Sequence, residues 1–174
     1  VNANEFLGDL TLGTPGNMGQ LITNVASLSA TGGGDITLNA SYFTGATHEV
    51  TTGSGEDTIN IIIGSTTSVD DISTGGGNDT VALEGSGDAV VNAGSGADVV
   101  TGENNDLTVD GGSGNDVIAG GGGDLDVDGG SGDDVILAEN TGSTARATLG
   151  IGGARDAFAS ATVGNGSKVN AVEL

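Results

Sequence analysis

The chain has 174 residues, of which 24 are acidic and three are basic, so its formal net charge is −21. Nucleic acids and anionic membrane surfaces both attract positive charge, so they are poor partners for this chain, and a hard cation is a natural one. The absence of cysteine excludes disulfides and thiolate metal sites. No apolar run is long enough to cross a bilayer, so we expect no direct membrane insertion.

Residues 1–51 contain weak copies of a glycine-rich pattern. Residues 31–39 read TGGGDITLN, a glycine-rich turn followed by a short alternating strand that directs Ile36 and Leu38 inward. Residues 8–12 read GDLTL and repeat the core of that pattern. We therefore predict that residues 1–51 form degenerate β-solenoid turns that bind little metal. Because no signal-peptide pattern is present, we expect the chain to be part of a longer protein.

Five nonads in residues 52–137 share the pattern x-Gly-x-Gly-x-Asp-x-(Val/Ile)-x. They read TGSGEDTIN (52–60), TGGGNDTVA (74–82), AGSGADVVT (93–101), GGSGNDVIA (111–119) and GGSGDDVIL (129–137). Three further nonads, 84–92, 102–110 and 120–128, carry the Asp at position five instead. The two types alternate without a gap from residue 84 to 137, so the full period is two nonads. This period predicts an all-β fold, a right-handed parallel β-roll or β-helix solenoid with about 18 residues per turn.

Each nonad is predicted to be a glycine-rich turn followed by a short strand whose position eight points inward. The expected inward residues are Val81, Val91, Val100, Val109, Ile118, Val127 and Ile136, together with Ala89, Leu107 and Leu125 at position six of the other nonad type. One such turn cannot bury its apolar side chains alone, so stability must come from stacking of neighbouring turns. Residues 138–174 alternate small apolar and polar residues and contain all three bases, which suggests C-terminal capping strands.

The aspartates at position six recur at the period of the turns. They are Asp57, Asp79, Asp98, Asp116 and Asp134. From Asp79 onward, successive aspartates are about two nonads apart, and the spacing between Asp57 and Asp79 is slightly longer than that. Calcium takes six to eight oxygen ligands with flexible geometry, and a Gly-x-Gly-x-Asp turn offers both carboxylates and carbonyls. A stacked column of carboxylates repels itself without a cation, so we expect metal binding and folding to be one equilibrium. A halophilic protein would scatter its acidic residues instead.

These nonads resemble the RTX (haemolysin-type) calcium-binding repeats, GGxGxDxUx, of proteins exported by type I secretion. The resemblance covers residues 52–137 and implies that each ion lies between turns one period apart, held by both position-six aspartates and by carbonyls of positions one to four. It implies three or four Ca²⁺ ions in one row. The implied ligands are Asp57, Asp79, Asp98, Asp116 and Asp134, with the backbone of Thr74, Gly75, Gly76, Gly77, Ala93, Gly94, Ser95, Gly96, Gly111, Gly112, Ser113, Gly114, Gly129, Gly130, Ser131 and Gly132.

The other edge of the predicted roll departs from the family pattern. Asp88, Asp106 and Asp124 fall one place early, and Ala or Leu occupies position six, so we expect an apolar edge without metal. The acidic, cysteine-free, Thr/Ala/Gly-rich style of the chain is also similar to bacterial surface-layer (S-layer) proteins with RTX-type repeats. The resemblance implies a secreted structural module at the bacterial cell surface that self-assembles into a lattice or joins other surface components. A stalk of a large adhesin and the C-terminal module of a type I-secreted enzyme remain alternatives.

Other functions have weaker support in the sequence. Residues 124–129 resemble the start of an EF-hand loop, but Val135 stands where the loop requires Glu, so we expect an acidic outer stripe there. The single His48 excludes a multi-histidine zinc site, and we expect it in a turn without catalytic function. Phosphate-binding motifs are absent, and the chain is not expected to be an enzyme. Ice binding would need a flat Thr/Asn array, whereas position five varies between Glu, Asn, Ala and Asp.

Overall fold

The computed structural model describes residues 8–13, 22–23, 26–42, 47–64, 69–138, 145–148, 157–160 and 169–172. All regular structure in these residues is β-strand, with no helix. The strands in chain order are β1 (Leu10–Leu12), β2 (Ile22–Thr23), β3 (Ser27–Ala30), β4 (Ile36–Tyr42), β5 (Glu49–Thr52), β6 (Thr58–Ile63), β7 (Val69–Ser73), β8 (Thr80–Gly85), β9 (Asp88–Asn92), β10 (Val99–Gly102), β11 (Leu107–Asp110), β12 (Val117–Gly120), β13 (Leu125–Asp128), β14 (Val135–Ala138), β15 (Ala145–Thr148), β16 (Ala157–Ser160) and β17 (Val169–Val172).

The chain passes from one sheet to the other and back as it coils, so it forms two sheets. Neighbouring strands within each sheet are parallel. The first sheet has nine strands in the order β1-β4-β6-β8-β10-β12-β14-β16, with β2 also paired to β4. The second sheet has eight strands in the order β3-β5-β7-β9-β11-β13-β15-β17. The fold is thus a parallel β-solenoid, as the two-nonad period predicted. The coil that separates Val99 from its partner Val117 is two nonads long, the coil between Thr58 and Thr80 is longer, and the mean is roughly 20 residues per turn.

The core is a narrow column of aliphatic side chains between the two sheets. Every residue predicted to point inward is buried, with at most 3% of its surface exposed. The largest fully buried side chains include Ile59, Ile61, Ile63, Ile72 and Leu83. These isoleucines and Leu83 lie where the coils are longer than two nonads, so the wider coils hold the bulkier part of the core. β-branched side chains suit this position because they pack well on a pleated surface.

The glycine-rich turns stack as closely as the strands do. The amide of the position-three residue donates to the position-two carbonyl of the preceding coil, as from Ser113 to Gly94 at 2.8 Å. The amide of position four donates to the position-three carbonyl of the following coil, as from Gly96 to Ser113 at 2.8 Å. Gly114 illustrates the steric requirement, because its φ is +130° and a Cβ there would overlap the carbonyl oxygen of Gly96.

The outer parts of the chain continue the same stack. The first four strands lie within residues 1–51, and β15 to β17 lie within residues 138–174, where degenerate turns and capping strands were predicted. Several parts of those two segments lie outside the described residues. Among the residues that the structure describes, no helix has the length and apolar character needed to cross a membrane.

Candidate metal centre

The five position-six aspartates form one row along an edge of the first sheet. Each immediately precedes a strand of that sheet, from Asp57 before β6 to Asp134 before β14. All five are buried, with at most 1% of their surface exposed. Burial of one ionised carboxylate costs free energy unless it is compensated, and here five are stacked along one edge. We call this set, Asp57, Asp79, Asp98, Asp116 and Asp134, the carboxylate row.

One oxygen of each carboxylate is used to connect successive coils. The backbone amide of each residue in the row donates to Oδ1 of the next aspartate, from Asp57 to Asp79 at 2.8 Å, from Asp79 to Asp98 at 2.7 Å and from Asp98 to Asp116 at 2.8 Å. Asp116 donates to Asp134 in the same way at 2.9 Å, and the amide of Ile36 donates to Asp57 at 2.8 Å, which continues the pattern one coil before the row. Each carboxylate is therefore held in a fixed orientation between two turns.

The second oxygen has a different environment. Oδ2 of Asp57, Asp79, Asp98 and Asp116 is buried, and within the described residues it has no hydrogen-bond partner. In Asp116 this oxygen faces position one of its own turn, where a Cβ on Gly111 would lie 2.7 Å away. A buried oxygen that carries charge and accepts no hydrogen bond is unfavourable, and a bound cation or a proton would remove that cost.

The pKa values of these carboxyls reflect their burial. Desolvation raises the pKa of Asp79, Asp98 and Asp116 to about 6, and neighbouring carboxylates of the row add to the increase. The pKa of Asp57 is also raised, first by burial and further by the charge of Asp35. At neutral pH the row thus holds negative charge at a free-energy cost that is only partly offset by the hydrogen bonds to Oδ1 and by the hydroxyls of Thr52 near Asp57 and Thr74 near Asp79.

The turns beside the row supply carbonyl oxygens, which are the other ligand type expected for calcium. The position-one carbonyls of Thr74 and Ala93 accept the hydroxyls of Thr52 and Thr74, both at 2.9 Å. The position-two and position-three carbonyls accept amides of adjacent coils. A carbonyl oxygen has two lone pairs, so these hydrogen bonds leave capacity for a metal. The partnerless carboxylate oxygens and the hard-oxygen character of the turns fit a calcium ion.

The opposite edge, beside the second sheet, is largely apolar at position six, as predicted. Ala89, Leu107 and Leu125 are buried there, and Asp106 and Asp124 at position five are exposed. The amide of Asp124 donates to Oδ1 of Asp106 at 2.6 Å, so position five connects coils rather than pointing into the turn.

Two residues on this edge were missed by the sequence reasoning. Asp70 is paired in register with Ala89, which makes it a position-six aspartate on the apolar edge, and it is 1% exposed. Nδ1 of His48 lies 2.9 Å from Oδ1 of Asp70, and the backbone amide of His48 donates to the same oxygen at 3.0 Å. His48 lies directly before β5, as a turn residue would, but it is buried and paired, which the sequence reasoning did not predict. The sequence did contain a signal for Asp70, because residues 69–73 (VDDIS) fit positions five to nine of a nonad.

Position five of the first edge has a structural function that the sequence reasoning did not assign. Oδ1 of Asn78 accepts the amide of Ala97, and Oδ1 of Asn115 accepts the amide of Asp133, both at 2.8 Å. Asp35 accepts the amide of Glu56 in the same way at 2.8 Å. These bonds run in the opposite direction to those of the carboxylate row, so the three pairs of coils that have them are connected in both directions.

The stretch that resembles an EF-hand forms an exposed stripe, as predicted. Asp124, Asp126 and Asp128 are all exposed, and Asp126 forms an ion pair with Arg146 at 3.0 Å. Across the described ranges no three His, Cys, Asp or Glu side chains converge where they could hold a metal by themselves. A site in the carboxylate row would thus combine two carboxylates with backbone carbonyls, the ligand set implied by the RTX resemblance.

No protein-family model, curated protein or solved structure matches the chain in the comparisons with known proteins. The functional interpretation accordingly depends on the geometry of the turns and of the carboxylate row.

Proposed function

We propose that this chain is an extracellular calcium-binding structural module of RTX type, with three or four Ca²⁺ ions along the carboxylate row. The ions would lie between Asp79 and Asp98, between Asp98 and Asp116, and between Asp116 and Asp134, with a fourth between Asp57 and Asp79. In this proposal calcium supplies the positive charge that the buried row lacks. The proposed biological setting is a bacterial surface-layer protein that folds and assembles on calcium binding outside the cell.

The observation that carries this proposal is the buried row of partnerless carboxylate oxygens. Oδ1 of each aspartate is fixed by an amide of the preceding coil, so Oδ2 is held in place before any ligand arrives. Pre-organised carboxylates that already face the turn need little rearrangement to bind a cation, which favours affinity. An apolar residue would serve better at position six if packing alone were required, as Ala89, Leu107 and Leu125 do on the other edge.

The overall charge supports the same proposal. Residues 1–145 contain 22 carboxylates and no Lys or Arg, so that part of the chain has no lysine or arginine to pair with them. A chain of this composition resembles disordered acidic segments until its charge is neutralised. Low calcium would thus keep the chain unfolded during export, and higher calcium outside would fold it. A structural rather than catalytic function agrees with a site whose carboxylates are enclosed.

Circular dichroism and calorimetry test the proposal together. The β signal should appear on addition of calcium to the chelated chain at neutral pH, and isothermal titration should give three or four ions per chain. Magnesium at equal concentration is the control, because its strict octahedral geometry and slow dehydration disfavour such a site. An unchanged β signal in chelator, with no calcium bound, would exclude calcium-coupled folding. Electron microscopy after calcium addition then tests the lattice, since sheets are expected rather than single rods.

A further inference from the structure

The outward surface of the first sheet differs in charge from the rest of the molecule. The outward residues at positions seven and nine of β8, β10, β12 and β14 are all exposed or half-buried and none of them is charged, whereas Glu84, two residues further along β8, lies at the margin of this surface. We call this set the neutral face: Thr80, Ala82, Val99, Thr101, Val117, Ala119, Val135 and Leu137. Val117, at its centre, is one of three large apolar side chains that are exposed in the described part of the chain, with 36% of its surface accessible, and the other two, Val69 and Val90, lie on the second sheet.

The outward surface of the second sheet over the same coils has the opposite character. Its outward residues at positions seven and nine of β9, β11 and β13, with their register partners on β15, form what we call the acidic face: Val90, Asn92, Thr108, Asp110, Asp126, Asp128, Arg146 and Thr148. Three carboxylates and one arginine lie on it, and the arginine is paired with Asp126. The charge of the described coils is therefore placed on the turns and on the acidic face, and is absent from the neutral face.

We propose that the neutral face is a contact surface for a second copy of this chain. Two copies with a net charge of −21 each repel one another in most orientations. Contact through the two neutral faces leaves Glu84 at the margin and brings no carboxylate of either face against another, and it removes partly exposed valine and leucine from water. An anionic lipid surface, or an acidic partner without a matching uncharged face, gains nothing comparable, because its negative charge would lie directly against the solenoid.

The regular geometry of the face suits a copy of itself. Val99, Val117 and Val135 lie in register on adjacent parallel strands, so their side chains form an even ridge. Positions seven and nine form two rows about 6.6 Å apart along the strands, and packed sheets are about 10 Å apart, so the ridge of one copy can lie in the groove between the two rows of the other. A two-fold arrangement uses the same residues on both copies, which closes the contact as a dimer.

The size of the face sets the expected strength. Four strands about 4.8 Å apart and about 13 Å of strand length give roughly 250 Å² per copy, whereas stable complexes bury about 800 Å² per partner. The isolated pair should therefore be weak, with dimers visible only at high protein concentration. Many copies held in an array would strengthen the contact through their high effective concentration.

A cysteine pair tests the surface, because the chain has no cysteine of its own. Val117→Cys places a thiol at the centre of the neutral face, and Thr108→Cys places one at the equivalent strand position of the acidic face. In the folded chain with calcium, V117C should form intermolecular disulfides about tenfold faster than T108C under the same mild oxidant. Equal rates overturn the proposal, and so does a faster rate for T108C, which would point to acidic faces bridged by calcium.

Sedimentation of aspartate variants provides a second measurement. Val117→Asp should abolish the concentration-dependent dimer, and Thr108→Asp, which adds the same charge to the acidic face, should leave it. A wild-type chain that stays monomeric at the highest soluble concentration refutes the inference. The inference depends on the fold and not on calcium. Circular dichroism of the same variants therefore separates the two proposals. If the chain folds equally well in chelator and V117C still forms disulfides faster than T108C, the calcium proposal alone is rejected.

Discussion

Asp98→Asn separates the two ways in which the buried charge of the carboxylate row can be removed. The amide keeps an oxygen that can accept the amide proton of Asp79, a hydrogen bond of 2.7 Å in the wild-type chain. It replaces the buried, partnerless Oδ2 of Asp98 with an uncharged nitrogen. If calcium holds the row, this variant should be more stable than wild type without calcium and less stable with it.

The magnitude without calcium follows from the pKa of Asp98, which burial raises from 3.8 to about 6. Each pKa unit corresponds to about 1.4 kcal/mol, so ionised Asp98 destabilises the folded chain by about 3 kcal/mol at neutral pH. Burial of the new amide nitrogen without a partner costs about 1 to 2 kcal/mol. In chelator the variant should thus gain about 1 to 2 kcal/mol of unfolding free energy.

The effect with calcium has the opposite sign. Asp98 is shared by the two proposed sites on either side of it, so the substitution removes one carboxylate from each. The calcium concentration at the folding midpoint should rise about tenfold or more, because affinity for calcium depends on the number of charged ligands. Because the wild-type chain is expected to be unfolded in chelator, the first effect is measured as the residual β signal in chelator with a stabilising osmolyte, and the second by calcium titration, both followed by circular dichroism.

Asp71→Asn is the matched control, since Asp71 is exposed on β7 and the substitution changes charge equally. Its calcium midpoint should stay close to that of wild type. The reasoning fails if the two variants shift the calcium midpoint equally, because the loss would then reflect total charge rather than the row.

Three further predictions concern the fold without regard to the lattice. In chelator, the folded fraction should rise as the pH falls from neutral, because carboxyls with a raised pKa bind protons more tightly in the folded state. The gain begins near pH 6 and is complete below 3.8, and a β signal that stays unchanged over this range would refute it. His48→Ala removes the side-chain partner of buried Asp70 and should destabilise the chain by about 3 kcal/mol in urea, whereas Glu49→Ala at an exposed neighbour should have little effect. Gly114 has a φ of +130° and lies against a carbonyl of the neighbouring coil, so Gly114→Ala should prevent formation of the adjacent turn. Gly33→Ala is the control, because a Cβ there would meet only Ser54 Oγ at 3.6 Å, and it should change stability by less than about 0.5 kcal/mol. Equal thermal midpoints of the two variants would contradict this prediction.

The nonad period made most of the fold predictable. A strict alternation after each glycine-rich turn determines which side chains point inward, so buried residues such as Val100 and Ile118 could be identified before the structure was known. The alignment of the position-six aspartates follows from the same period, since residues one coil apart are neighbours in a stacked solenoid.

The hydrogen bonds of the row were not predictable from the period. A repeat shows that Asp79 and Asp98 are neighbours, but it does not tell which oxygen accepts which amide or in which direction the bonds run. The same holds for Asn78 at position five, whose side chain accepts an amide of the following coil. These details depend on side-chain torsions of the turns, which a sequence pattern does not specify.

The pair of His48 and Asp70 was missed for a different reason. Both lie in coils longer than two nonads, where a search for regular nonads loses the frame. Recounting backwards from β9 places Asp70 at position six, and one coil further back the same position is His48. A polar pair at an otherwise apolar edge would have been visible if the frame had been carried through the irregular coils.

Cation binding and protonation are competing solutions to the same electrostatic problem. Four Oδ2 atoms in the row have no hydrogen-bond partner among the described residues, so each must be neutralised or its cost must be met by the rest of the fold. Because three of these carboxyls have a pKa of about 6, protons neutralise them in mildly acidic solution, whereas at neutral pH they are mostly ionised. Calcium would therefore matter most at neutral pH, and the affinity measured for it should fall as the pH approaches 6, since each ion must then displace protons from the row.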